Sequence, residues 1–236
     1  MFLDSYVREA DGLVRISATQ ASRFAKEVAG DFNPIHDPDA KRFCVPGDLL
    51  FCLVLSRYGL SQRMSFAFTG MVGDNVGLRL PAEPGALIEL TDETGKCYLR
   101  VERDGAVTRD PALVERIARS YVSFSGHNFP YILAPLMARH KVMINLERPL
   151  VIYESMSFDL DSLDLADPTL ELADATLEVA GKRGDAYLHF HFGAGGRTVG
   201  SGQKKLVLSG LREYDEEAMQ RFIEQYNRRK PAAAAL

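Results

Sequence analysis

The spacing of apolar residues changes several times along the chain, and each change predicts an element. Over residues 16–30, Ala21, Phe24, Ala25 and Val28 recur at helical intervals, Ser17 and Gln20 form a capping box, and Gly30 can close the helix. The next stretch, DFNPIHDPDA, holds two prolines among repeated Asp and Asn and reads as a loop. From Pro46-Gly47-Asp48 onward the run DLLFCLVLSRYGL places apolar residues on every face of the first two turns, so this helix must be buried all round. Strand-like stretches follow at 66–80, 86–93, 96–103 and 113–124, punctuated by Pro84-Gly85, Thr94-Gly95 and Asp104-Gly105.

After a linker at 125–130 the order returns in weaker form. Residues 131–140 can be helical, and 151–160, 169–179, 185–192 and 198–208 read as strands. A last helix over 215–228 gathers Met219, Phe222, Ile223 and Tyr226 on one face, before a tail RRKPAAAAL of disordered composition. The pattern predicts an α+β protein of two similar units, residues 1–126 and 127–236, in which two antiparallel sheets each wrap around a central helix. Pairing two such sheets would cover their open edges.

Composition narrows the partners. The 236 residues are 46% hydrophobic and 25% charged with a net charge of -4, which gives no electrostatic footprint for nucleic acid. The apolar run at 47–60 is too short to span a bilayer, and the acidic start MFLDSYVREAD lacks the basic region of a signal peptide, so a cytoplasmic protein without membrane contact is expected. Cys44, Cys52 and Cys97 form no CxxC pair, and an odd number suits a reducing compartment. His189 and His191 share one strand face, but a third ligand cannot be identified, so no metal and no cofactor are expected. Gly195-Gly196 and the pair Gly200 and Gly202 interrupt strand sequence and open no helix, which makes them turns or bulges rather than a phosphate loop.

The loop after the first helix carries the chemistry. Within residues 24–40, Gly30, Asp31, Asn33, Pro34, Ile35, His36 and Ala40 follow the pattern Gly-Asp-x-Asn-Pro-hydrophobic-His-x-Asp and on to a small residue, with Asp39 one place late. This string resembles the hydratase motif of MaoC-like, R-specific enoyl-CoA hydratases. The resemblance implies a hotdog fold, here a double hotdog, in which Asp31 and His36 hold a water and add it to a trans-2-enoyl thioester of coenzyme A or acyl carrier protein. Asn33 and Asp37 or Asp39 would shape or orient the loop. The chemistry fits the residue types, because water addition needs a base for its proton and an acid for C2, and a carboxylate and an imidazole can share those tasks.

Enolate charge on the thioester oxygen would need the free N–H groups around Gly47, Asp48 and Leu49 at the start of the buried helix, with Gly47 allowing close approach. Asp48 complicates that site, since its carboxylate would repel an oxyanion. The sequence also departs from the hydratases here: residues 39–48 form a shorter link, with Pro46 where the family has the His of a His-Gly pair. Two alternatives therefore stand beside hydration: an acyl-CoA thioesterase using Asp48 or Asp31, and a non-catalytic acyl-thioester-binding protein. Lys41, Arg42, Arg57 and Arg63 are candidates for coenzyme A phosphates, Cys44 and Cys52 read as small core residues with a reactive Cys44 thiol as the lesser alternative, and a homodimer is the candidate assembly.

Overall fold

The computed structural model describes residues 2–230. Strands β1 (Arg8–Ala10) and β2 (Leu13–Arg15) form a hairpin that leads into α1 (Ala18–Phe24). The capping box is present: the Ser17 side chain accepts from the Gln20 backbone N–H, and the Gln20 side chain accepts from Ser17 N–H. One turn of π-helix, Ala25–Ala29, follows and ends at Gly30 in the left-handed region (φ 66°). A short 3-10 turn, Pro34–His36, then precedes α2 (Gly47–Tyr58), whose residues 48–55 are all buried. The continuous apolar run thus does what its pattern requires, and Gly59, at φ 85°, lets the chain turn at once into β3 (Leu60–Phe68).

Three of the expected boundaries move. Residues 69–77 form a loop rather than strand, because Asp74-Asn75 turns the chain (Asn75 φ 55°) before β4 (Leu78–Arg79) and β5 (Leu87–Asp92). Asp104-Gly105 is a bulge and not a hairpin turn: β6 (Cys97–Thr108) runs through it, with the register against β3 shifting between Ser61 and Arg63. The stretch expected as a fourth strand is instead a helix, α3 (Pro111–Gly126). Asp110 caps it by accepting from Ala112 N–H at 3.1 Å, Pro111 opens it, and Leu113, Val114, Ile117, Ala118, Tyr121 and Val122 are buried at helical spacing. The expected linker therefore begins inside a helix.

The second part runs α4 (Asn128–Tyr131), α5 (Leu133–Arg139), β7 (Val142–Met143), β8 (Val151–Leu160), β9 (Thr169–Ala180), β10 (Arg183–Ala194), β11 (Arg197–Ser209), β12 (Arg212–Glu213) and α6 (Glu216–Arg228). Its strands and last helix lie within a few residues of their expected places. Residues 231–236 of the expected tail lie outside the described residues. Arg229 and Lys230, by contrast, make contacts with Asp37 and Tyr131.

The strands do not make two separate sheets. One ten-stranded antiparallel sheet runs β1-β2-β4-β5-β6-β3-β8-β11-β10-β9, and the second sheet holds only β12 and β7. The join is β3 on β8, where Phe66 faces Met156 and Met64 faces Phe158. All four are buried, so the two inner edges satisfy each other's backbone groups and continue one apolar face. That face packs on α2 and α3 in one core, and α5, α6 and the outer ends of β9–β11 enclose a second, smaller one. Among the described residues the second part has no counterpart of α2: its α5 is one short helix of seven residues.

Candidate active site

A cavity of about 360 Å³ opens between these two cores, within the usual size of small-ligand sites. Its polar wall comes from the loop after the π-turn and from the start of α2; Phe129, Leu133, Ile144, Ile152, Leu206 and Phe222 make an apolar wall opposite. Asp31 and His36 both line it, with His36 Nε2 3.6 Å from Asp31 Oδ2.

Local geometry fixes both groups. His36 Nδ1 lies 2.7 Å from the Cys44 carbonyl oxygen. A carbonyl only accepts, so Nδ1 carries a proton and Nε2 is the ring nitrogen turned toward Asp31. Asp31 Oδ1 accepts from Asn33 N–H at 2.8 Å and from the Tyr226 hydroxyl at 3.4 Å, which leaves Oδ2 directed at His36. Tyr226 also accepts from Phe32 N–H at 3.1 Å, so α6 clamps the loop at two consecutive residues. Gly126 brings α3 against the π-turn: a Cβ there would lie 1.7 Å from the Ala29 carbonyl oxygen.

The other expected site residues have different duties. Asn33 caps the 3-10 turn by accepting from Ile35 N–H. Asp37 lies outside the cavity wall, bound to Lys26 at 2.8 Å and Arg229 at 2.9 Å; burial works to raise its carboxyl, but these two cations hold it below the usual range. Asp39 is exposed. The Leu49 N–H is committed to the Pro46 carbonyl at 3.0 Å, which removes it from the expected oxyanion donors. Gly47 is small for a different reason than the one expected: a Cβ would meet the Tyr153 ring at 2.8 Å and the Phe68 ring at 3.0 Å. Burial pushes the Cys44 thiol up to about 11, against a reactive role. Arg57 and Arg63 pair with Glu9 and Asp104 away from the cavity.

Asp48 is the residue whose setting changes most. It is 7% exposed, and its Oδ2 accepts from the Ser125 hydroxyl at 2.6 Å. Lys204, 3% exposed, donates to that same hydroxyl and lies 4.0 Å over the Tyr153 ring. Burial raises the Asp48 carboxyl while Lys204 and Ser125 pull it down; burial lowers Lys204 while Asp48 and Asp31 pull it up. The cation therefore offsets the charge that seemed to spoil the start of α2. Asp48 Oδ1 and Asn128 Oδ1 are buried polar atoms of this wall without a hydrogen-bond partner. Such atoms are rare in folded proteins, and both here border the cavity.

Sequence reasoning missed Ser125, Tyr153, Lys204 and Tyr226 as site residues. A signal existed for Lys204: on β11 it alternates inward with Leu206 and Leu208, a charge on an apolar face.

The family model described as "Protein of unknown function (DUF3581)" matches residues 1–217. The chain belongs to this DUF3581 family. The match spans both parts of the chain and stops at the start of α6. It is not the MaoC-like family that the loop resembles. A comparison with curated proteins finds no match. Among solved structures, similar chains include an acyl-CoA thioesterase II, TesB2, from Mycobacterium marinum (13% identity, 92% of this chain and 99% of that one, TM-score 0.44). They also include a MaoC-like dehydratase (9%, 87% and 98%, TM-score 0.43) and a conserved protein with a hotdog fold from Alicyclobacillus acidocaldarius (9%, 88% and 97%, TM-score 0.40). Likeness at this level does not fix a reaction, which must come from the side chains of this DUF3581 member.

Proposed function

We propose that the chain is a hydratase or dehydratase of acyl thioesters, adding water across trans-2-enoyl-CoA or the matching acyl carrier protein thioester at Asp31 and His36. The observation that carries this reading is His36 Nε2 facing Asp31 Oδ2 across 3.6 Å on the wall of an apolar cavity. One water donating to both atoms would be held with its oxygen free to attack C3. As the C–O bond forms, one water proton passes to the pair, and the pair returns a proton to C2, so water supplies both halves of the addition. Charge on the thioester oxygen would fall at the start of α2, where Gly47 and Asp48 N–H groups have no intrahelical acceptor and Lys204 offsets Asp48. In this reading residues 1–126 and 127–236 are two hotdog units, and the acyl chain lies between them.

The test is crotonyl-CoA and a longer trans-2-enoyl-CoA, following the enoyl-thioester absorbance beside thiol release. Hydration predicts absorbance loss in excess of thiol release, and a fall of about 100-fold or more in that excess in Asp31→Asn. Absence of absorbance loss beyond thiol release on both substrates would sink the reading.

A further inference from the structure

The buried Asp48, Ser125 and Lys204 cluster is not needed to hold water between Asp31 and His36, and it is built differently. A hydroxyl on the cavity wall sits between a carboxylate that accepts its proton at 2.6 Å and an ammonium that donates to its oxygen. The carboxylate is placed to take that proton, and the ammonium, once released by the attacking oxygen, is within reach of the group that leaves. We infer that Ser125 is an acyl acceptor, and that this cluster cleaves acyl thioesters through an acyl-serine. The inference shares with the hydration reading the entry of an acyl thioester into the cavity and the Asp48 and Lys204 charges at the start of α2, but not the Asp31 and His36 pair.

The step balances within the cluster. Asp48 takes the Ser125 proton as Oγ bonds to the thioester carbonyl carbon and the carbonyl electrons move onto oxygen. Collapse of that oxyanion breaks the C–S bond, and the departing thiolate takes a proton from Lys204. A water then gives its proton to the neutral Lys204 while its oxygen joins the acyl carbon. The ester C–O bond breaks, and Ser125 recovers its proton from Asp48. Acid, thiol and the starting charges remain. Burial favours both transfers, because it makes Asp48 a stronger base and Lys204 a readier acid than either is in water. Gly126, which permits no side chain against Ala29, fixes the α3 turn that carries Ser125.

Octanoyl-CoA isolates this chemistry, since a saturated chain has no double bond to hydrate. The full-length protein should release thiol from it. Acid-quenched samples should carry one octanoyl group, mapped by peptide mass spectrometry to Ser125. Ser125→Ala should remove the adduct and lower thiol release by about 100-fold or more, with its fold checked by circular dichroism; Ser125→Cys should restore an adduct as a thioester. Binding of octanoyl-CoA without thiol release, an adduct at any other residue, or unchanged thiol release in Ser125→Ala would each overturn the inference. None of these results bears on hydration of enoyl-CoA.

Discussion

Replacing Lys204 by Met keeps the length of the side chain and removes its charge, so the consequence can be worked from what remains. Asp48 would stay 7% exposed with one oxygen unpartnered and the other held only by Ser125. Breaking a buried ion pair by removing one partner costs roughly 3–5 kcal/mol. The pair here is bridged by a hydroxyl that still donates to Asp48, which places the expected loss near the lower end, about 3 kcal/mol. For a chain of this size that is a fall in Tm of roughly 6–12 °C. The pH dependence gives a second handle. Burial raises the folded carboxyl above its unfolded value near 3.9, so the native state binds more protons and stability falls as pH rises between the two values. Without the cation the folded value climbs further, and the loss extends to higher pH. Urea titrations from pH 4 to 8 on the wild type, Lys204→Met, Asp48→Asn and the double variant would measure this. The double variant should be more stable than Lys204→Met at pH 8. Equal stability of the wild type and Lys204→Met at pH 8 would refute the claim that the cation compensates Asp48.

Two further expectations concern the loop. Tyr226→Phe removes the hydroxyl that binds Asp31 and Phe32 N–H, which should cost about 1 kcal/mol in urea unfolding and lower the hydration rate more than the affinity for enoyl-CoA. Gly126→Ala forces a methyl into the Ala29 carbonyl; a loss of about 1–3 kcal/mol or more by thermal melting is expected, with turnover falling as Asp31 shifts.

How much of this was legible in the sequence depends on how local each signal is. The Ser17 and Gln20 cap, the all-apolar α2 and the alternation in β10 are decided within one element, and all stand in the structure. Asp31 and His36 were legible because one short loop holds both. The segment 111–126 failed because β-branched and aromatic residues were weighed above period: Asp110-Pro111 and the seven-residue recurrence of Val114, Tyr121 and their neighbours are helical signals. Pairing of the two sheets was expected as the way to cover their edges, but the strands that meet, β3 and β8, were not legible, since they lie about ninety residues apart in the chain.

The same distance explains the unread half of the site. Lys204 reaches Ser125 over 79 positions, Ser125 reaches Asp48 over 77, and Tyr226 reaches Asp31 over 195. None of these contacts has a motif, because each joins separate elements: α3 to α2, β11 to α3, and α6 to the loop after the π-turn. A motif search finds the half of the cavity that is contiguous in sequence and leaves the other half looking like scaffold. The second part of the chain, which carries no Asp/His string, nevertheless supplies the cation beside Asp48, the hydroxyl on Asp31 and most of the apolar wall. In the proposed chemistry its role is therefore electrostatic as well as structural, and a variant confined to it, Lys204→Met, tests that role most directly.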